Sequence, residues 1–289
     1  MTTATLAQSV LNGLMAGWIY VLVALGLTLV LSIMGIVNLA HGEIYMFGAY
    51  GAYYFCVVAG LNFLLALVIS TLLIGLLGIA IERIFFRPFR HGEFLTTIIM
   101  ATGLMLILQT TAVISFGGSP KVVTTPFPGV ITIAGVTLSW ERLIIILVSI
   151  ILVAALFYLI HRTKIGQAMV AVSQDLDAAA LQGINVDHVS SVAMFLGCGL
   201  AAAAGALMGA IFGLSPTMGG FALMKGIAVI ILGGLGSIPG AVIGGLILGF
   251  IDGIIPPLLS SHMASLVGFV AIILILLFRP RGIMGHESP

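Results

Sequence analysis

The residues best suited to chemistry in this chain stand together in one long apolar region. Between Leu11 and Ala59 the acidic, basic and imidazole side chains are limited to His41 and Glu43, and Asn38 lies just before them. A charge in the middle of a bilayer costs from about 2.5 to more than 10 kcal/mol. We therefore expect the three side chains to face protein, a water-filled cavity or the membrane surface. Glycines that allow a helix to break or pack closely flank this cluster: Gly35, Gly42, Gly48 and Gly51.

Motifs for hydrolytic and phosphoryl chemistry are missing from the sequence. The Gly-x4-Gly-Lys-[Ser/Thr] phosphate loop, the His-Glu-x-x-His zinc motif and the Gly-x-Ser-x-Gly nucleophile turn do not occur. Cys56 and Cys198 each lie in an apolar run, so we expect small buried side chains there and no metal site. The chain is therefore not expected to be an enzyme. A passage for a small neutral or zwitterionic solute fits better than a proton relay or cation pathway built on Glu43.

The composition is that of a membrane protein with several spans. Apolar residues make up 61% and charged residues 7% of the 289 residues, against about 25% charged residues in soluble domains. Because one span needs about 20 apolar residues, the length allows roughly 8–10 transmembrane segments, some of them broken or re-entrant. The predicted fold class is an all-α polytopic membrane protein with a single transmembrane domain over residues 1–289. The net charge of +1 gives no basic surface for nucleic acid.

Charge patterning predicts which loops face the cytoplasm. Basic residues in the loop 82–93 and just before the segment 165–188 assign both to the cytoplasm by the positive-inside rule. The segment 117–142 then lies outside, and two Val/Ile/Thr runs around Gly135 predict a small hairpin within it.

The segment 165–188 is the longest polar stretch, and its sequence predicts two short helices. Asp175 is suited to the N-cap of the second helix, Leu176–Gln182, and Gly183 is suited to its end. Alanine is the most frequent residue in this segment, and its high helix propensity favours helix formation there. A short helix on the inner membrane face has no spanning role, so we expect it to contact a partner; a solvated connector is the alternative.

The carboxyl-terminal third is dense in glycine. Gly236, Gly240 and Gly244 recur at four-residue spacing, and Pro239 should interrupt a helix there. We therefore expect these four residues to serve helix packing or a hinge. The preceding segment, Gly213–Lys225, is predicted as an external loop.

The charge rule also constrains how this third crosses the membrane. If residues 227–255 formed one span, Arg279 and Arg281 would lie outside, against the positive-inside rule. We expect the stretch to be broken near Pro239, so that it either crosses twice or enters and leaves on one side.

Three stretches of the chain are similar to one known family. They are GIVNLAHGEIYMFGAYGA at 35–52, AVSQDLDAAALQGINVDHV at 171–189 and GGLGSIPGAVIGGLILG at 233–249. All three resemble the permease subunits of branched-chain amino acid ABC importers, LivH type, and the likeness covers nearly the whole chain. The resemblance implies an ABC importer permease fold in the bacterial inner (plasma) membrane.

The same resemblance implies a set of partners. A LivM-like second permease, two cytoplasmic ATPase subunits and a periplasmic substrate-binding protein would complete the importer, and ATP with Mg²⁺ would act on the ATPases rather than on this chain. The segment 177–183 is similar to the EAA-x3-Gly loop that docks on the ATPase, although aspartate replaces glutamate and the later Ile-x-Leu-Pro part is missing. The implied ATPase-coupling residues are Asp175, Asp177, Ala178, Ala179 and Gly183.

Two roles remain open for the polar cluster. Asn38 and His41 either line or support the solute cavity while Glu43 braces the second half-helix, or the cluster makes structural hydrogen bonds that hold the helix break. The substrate also has alternatives: branched-chain or related hydrophobic amino acids, or urea and short amides. An autonomous channel or secondary carrier is a rival from a different class.

Overall fold

The computed structural model describes residues 3–90, 92, 94–123, 127, 129–133 and 135–285, and these are mostly helical. The helices are α1 (Thr3–Met34), α2 (His41–Tyr53), α3 (Phe63–Ile81), α4 (Phe94–Phe116), α5 (Trp140–Arg162), α6 (Lys164–Gln174), α7 (Leu176–Leu181), α8 (Val186–Phe212), α9 (Met218–Gly233), α10 (Ile238–Leu258) and α11 (Ser261–Phe278). Two strands, β1 (Val130–Ile133) and β2 (Val136–Ser139), pair between α4 and α5. Short π-helical turns continue α2 over Tyr54–Val58 and α3 over Glu82–Phe86.

The predicted all-α polytopic class is confirmed. Among the described residues, six helical stretches are long and apolar enough to cross a membrane: Ala4–Met34, Phe63–Phe89, Leu95–Phe116, Trp140–Arg162, Val186–Phe212 and Ile238–Leu258. Two shorter apolar helices, Met218–Gly233 and Met263–Phe278, bring the apolar segments to the lower end of the expected range.

Helix α1 runs through the centre of the bundle, and glycine lets α10 lie directly against it. Gly13 contacts Gly249 and Val21 contacts Gly245, so the two helices are antiparallel. A Cβ added at Gly249 would overlap the Gly17 backbone. Small residues drive such close packing in membranes, where the hydrophobic effect no longer brings helices together.

Helices α9 and α10 form an antiparallel hairpin. Gly233 packs against Gly240 and Val229 against Gly244, with a turn between the helices in which Gly236 has a φ of 81°. The stretch 227–255 therefore runs along the bundle twice and is broken near Pro239, as predicted.

This hairpin also brings the carboxyl-terminal arginines to the same end of the bundle as the other basic residues. Arg90 pairs with Asp187 at the start of α8, Ser32 near the end of α1 bonds the Gly236 carbonyl, and Arg281 lies beside Gly234. We use the term basic end for the end of the bundle that carries Arg83, Arg87, Arg90, Arg162, Lys164, Arg279 and Arg281. The positive-inside rule predicts such an excess of basic residues at the cytoplasmic end of a membrane protein.

The predicted hairpin lies at the opposite end. β1 and β2 pair antiparallel, and Gly135 between them has a φ of 82°. The Thr137 amide donates to the Gln8 side chain at 2.9 Å, which ties the hairpin to the start of α1. Residues 124–126, 128 and 134 of the predicted loop lie outside the described part of the chain, as do 91 and 93 of the loop 82–93.

The expected external loop over Gly213–Lys225 is wrong from Met218 onward. Helix α9 begins at Met218, so Lys225 lies in its second turn rather than in a loop. Met218, the two glycines that follow it and Lys225 made this stretch look irregular in the sequence. Contacts with α1, α2 and α10 stabilise it as a helix, a tertiary effect that local propensity does not report.

Candidate functional site

The chain breaks between α1 and α2 inside the bundle. Gly35 ends α1 with a φ of 67°, and its amide still donates to the Leu31 carbonyl at 2.9 Å. Asn38 then forms the turn before α2, in which its Oδ1 accepts from the Ala40 amide at 3.1 Å and its carbonyl accepts from the His41 amide at 3.1 Å. The break predicted at Asn38–Gly42 lies slightly earlier, at residues 35–40, and α2 begins at His41 within the protein interior as a half-helix.

The His41 ring is held between α1 and the break. Its Nε2 lies 3.3 Å from the Val23 carbonyl oxygen, and a Cβ at Gly26 would stand 3.0 Å from the ring. Gly26 thus leaves room for the imidazole, and the ring satisfies a carbonyl in the middle of α1. A larger residue at Gly26 would displace the ring.

Glu43 lies two residues after His41, in the first turn of α2, where a carboxylate is favoured by the helix dipole. The first turns of α2 and α9 touch through Gly42 and Gly219, and a Cβ at Gly219 would stand 2.9 Å from Glu43 Oε2. Glycine at both positions lets the two backbones approach closely around the carboxylate.

The three side chains are sealed from solvent. Asn38 and His41 are 0% exposed and Glu43 is 2% exposed. Among the described residues, three of their polar atoms lack a hydrogen-bond partner: Asn38 Nδ2, His41 Nδ1 and Glu43 Oε2. Each unpaired buried group costs about 1–3 kcal/mol. The cluster is therefore a site of high local free energy at a helix break.

The two short helices at the basic end follow the predicted pattern. Asp175 caps α7, with its Oδ1 accepting from the Ala178 amide at 2.9 Å. Gly183 ends the turn after α7 with a φ of 81°. Helix α6 packs against the end of α5 through Gly166. The segment therefore stands on the bundle as a folded unit rather than as a loose connector.

The predicted coupling residues differ in exposure. Asp175, Asp177, Ala178 and Gly183 are exposed, whereas Ala179 is buried against the bundle. Beside them, Leu181 is 87% exposed at the end of α7. Motif matching did not single out Leu181, although a leucine in a short polar helix was a usable signal. Leu181 therefore adds one exposed apolar side chain to the surface that the predicted coupling residues form on α7.

The predicted hinge residues take two different positions. Gly240 and Gly244 are buried in the α9–α10 contact, while Gly236 lies in the exposed turn. Pro239 stands in the first turn of α10, where its missing amide hydrogen costs nothing, so it starts a helix instead of interrupting one.

Two ionic groups were missed in the sequence. Glu82 is 0% exposed at the basic end and binds Arg87 at 2.9 Å and Arg90 at 3.3 Å; Ser191 of α8 donates to it at 2.8 Å. Asp187 closes the network on Arg90 at 2.7 Å. These contacts fix the end of α3 to the start of α8, directly after the segment 165–188.

Replacing Glu82 with alanine should destabilise the protein by about 3–5 kcal/mol, because Arg87 and the nearly buried Arg90 would both lose their buried counter-charge. Asp187 is the matched control, since its side chain is 52% exposed and surface ion pairs contribute about 0–1 kcal/mol. Thermal unfolding in detergent of Glu82→Ala and Asp187→Ala measures the difference. Equal losses for both variants would contradict a buried clamp on Glu82.

The second missed group joins α1, α9 and α10. Lys225 and Asp252 form an ion pair of 2.7 Å, and the Tyr20 hydroxyl donates to Asp252 at 2.7 Å. Their separation in the sequence hid this arrangement, which depends on the α9–α10 hairpin and on the antiparallel contact with α1.

Helices long enough to span a membrane, a half-helix beginning at a buried polar break, and a short docked helix at the basic end together define a multi-pass membrane permease. A family model described as "Branched-chain amino acid transport system / permease component" matches residues 9–278. The chain belongs to this family, so it is a non-catalytic component of a transport system. The resemblance to LivH-type permeases is confirmed.

Individual relatives agree with the family. The chain is 35% identical over 295 residues to the high-affinity branched-chain amino acid transport system permease protein BraD of Pseudomonas aeruginosa, covering 97% of this chain and 96% of BraD. It is 34% identical to LivH of Escherichia coli, again covering 97% and 96%. Among solved structures, PsaBC from Streptococcus pneumoniae in complex with Fab matches with a TM-score of 0.49 and 10% identity over 96% of this chain and 92% of that one, a similarity too low to support an argument.

Proposed function

We propose that this chain is one membrane-spanning subunit of an ATP-driven importer of branched-chain amino acids. A second permease subunit forms the pathway with it, two ATPases bind at the basic end, and a periplasmic binding protein delivers the solute at the opposite end. ATP and Mg²⁺ act on the ATPases. The whole chain serves as a single transmembrane domain.

The observation that carries this proposal is the docked helix α7. It presents Asp175, Asp177, Ala178 and the exposed Leu181 at the end that the charge rule assigns to the cytoplasm. The helices on either side of it are held in the bundle: α6 packs against α5, and the Glu82 network ties α8 to the end of α3. A partner that moves α7 would therefore move α5 and α8 with it, because the connections between them are short and hydrogen-bonded.

Burial favours one of the two roles left open for the polar cluster. Side chains that line a pathway shared by two subunits would be exposed in one subunit alone, yet Asn38, His41 and Glu43 are sealed within this chain. We therefore propose that they support the helix break. Gly236, Gly240 and Gly244 with Pro239 form the turn and packing surface on which α9 and α10 shift together.

The experiment is co-expression of the chain with its candidate permease, ATPase and binding-protein subunits, followed by purification through a tag on this chain. We expect both ATPases to co-purify and binding protein loaded with leucine to stimulate ATP hydrolysis. An importer for urea or short amides would instead respond only to those solutes. Absence of ATPases from the purified complex would contradict the proposal.

Replacing His41 with alanine should prevent assembly of that complex rather than block uptake by an assembled one. The change removes the contact between His41 and the Val23 carbonyl and opens a cavity at the break. Asn38→Ala should act in the same direction, because it removes the bond that starts α2. Size-exclusion chromatography of the purified complex measures assembly.

His161→Ala is the matched control for this test, because that exposed ring bonds the Phe157 carbonyl within its own helix. It should leave the complex intact. Normal assembly of His41→Ala and Asn38→Ala with lost leucine uptake would contradict structural support and favour a place in the pathway.

A further inference from the structure

An ion pair with an aromatic partner lies within the membrane-spanning bundle, between α1, α9 and α10. Lys225 Nζ is 2.9 Å from Asp252 Oδ1 and 2.7 Å from Oδ2, and the Tyr20 hydroxyl donates to Oδ2 at 2.7 Å. The Lys225 ammonium also lies 5.6 Å from the ring centres of Tyr20 and Phe221. Charged side chains in spanning segments are costly and mark functional sites by default.

Lys225, but not Asp252, lines a cavity beside the ion pair. A space of about 210 Å³ between α9, α10 and α11 is lined by Lys225 and Ser265 and by apolar residues that include Phe221, Leu248, Phe269 and Ile272. The side chains of Lys225 and Asp252 are 13% and 15% exposed, respectively. Small-molecule sites commonly have this form, an apolar wall with a few polar groups that fix the orientation of the ligand.

The charges of this site select among ligands. Lys225 and Asp252 together are neutral, so a ligand with a net charge would meet no net attraction there. A zwitterion can divide its two charges between them, because an ammonium group on the protein donates to a carboxylate and a carboxylate accepts from an ammonium. The adjoining apolar cavity then takes an aliphatic side chain and removes it from water.

The ion pair joins the first half of α9 to the second half of α10. Lys225 lies in the second turn of α9, and Asp252 lies near the end of α10. Phe221 lines the cavity and also a second space of about 340 Å³ that includes Tyr45 of α2. Phe221 is therefore shared by the cavity beside Lys225 and the space beside α2.

We propose that Lys225 and Asp252 bind the carboxylate and ammonium groups of an aliphatic amino acid during transport, with its side chain in the cavity between α9, α10 and α11. Tyr20 orients Asp252 as a positioning residue. This inference rests on the proposed function and deepens it by naming where the solute contacts this chain.

The test uses the complete importer in proteoliposomes, supplied with leucine-loaded binding protein and internal ATP. Lys225→Met, Asp252→Asn and the double variant are compared with Lys121→Met, a lysine at the outer end that stacks on Tyr53. We expect both single variants and the double variant to raise the half-saturating concentration or lower the rate of leucine uptake by about tenfold or more. Lys121→Met should resemble the wild type.

The double variant separates ligand binding from a structural ion pair. If the pair only stabilised the bundle, removing both charges together would leave no unpaired buried charge, and uptake would recover relative to the single variants. Wild-type uptake by the double variant overturns the inference. Continued loss of uptake in a double variant that co-purifies with its partners supports it.

Photo-leucine provides a second measurement that does not depend on variant folding. Irradiation of the wild-type complex should label peptides from Met218–Gly233, Ile238–Leu258 or Ser261–Phe278, and excess leucine should reduce the labelling. Labelling that excess leucine leaves unchanged, or that is confined to other helices, overturns the inference. A wild-type complex that hydrolyses ATP but carries no leucine would refute the proposed function itself, whereas wild-type uptake with unaffected variants refutes this inference alone.

Discussion

Leu181→Asp should abolish ATP-driven leucine uptake while the permease itself stays folded. Leu181 is 87% exposed at the end of α7, so the substitution removes no contact within the chain. On the proposed ATPase surface, however, it replaces an apolar contact with a charge. Loss of a central contact of this kind costs about 2 kcal/mol or more, or roughly thirtyfold in affinity. Uptake into proteoliposomes and the amount of co-purified ATPase measure the effect.

Leu181→Met is the matched control, because it keeps the volume and apolar character of the side chain. It should retain uptake close to the wild-type rate. The melting temperature of the isolated permease should be the same for both variants. If Leu181→Asp binds the ATPases and transports normally, α7 does not serve as the coupling element.

Gly249→Val should prevent formation of the native bundle. A Cβ at this position would overlap the Gly17 backbone, and the Gly13 carbonyl oxygen stands only 2.6 Å away. Backbone atoms cannot rotate aside as a flexible side chain can, so α1 and α10 must separate along their contact. We expect destabilisation of at least about 3 kcal/mol, seen as loss of a monodisperse peak after detergent extraction.

Gly103→Val tests whether glycine loss in a spanning helix is harmful in itself. Gly103 lies in the middle of α4, and a Cβ there meets no atom within 4 Å among the described residues. This variant should extract and migrate like the wild type. A normal profile for Gly249→Val would show that α1 and α10 do not pack as closely as the structure has them.

Local signals in the sequence were sufficient to predict the break and the short helices. Gly35 and Asn38 act on their immediate neighbours, through a positive φ and a side-chain bond two residues away. Asp175 and Gly183 likewise begin and end α7 through contacts within a few residues. Such features are set by sequence neighbours, so a single sequence reveals them.

Features that depend on distant parts of the chain were missed. Lys225 was assigned to a loop, because its partners Asp252 and Tyr20 come close only after α9 and α10 fold back along α1. Glu82 similarly gains its burial from Ser191 of α8. The exposure of Asn38, His41 and Glu43 also could not be read from spacing, since a polar residue at a helix break suits a cavity wall and a sealed core equally well.

In the proposed importer, this chain forms a passive gate operated by partner ATPases. Leucine flux into proteoliposomes tests this dependence on the ATPases, with the chain and its permease partner reconstituted alone or with the ATPases, binding protein and ATP. We predict no flux from the permease subunits alone and uptake against a gradient in the complete, ATP-supplied system. Leucine flux through the permease subunits without any ATPase would contradict the claim.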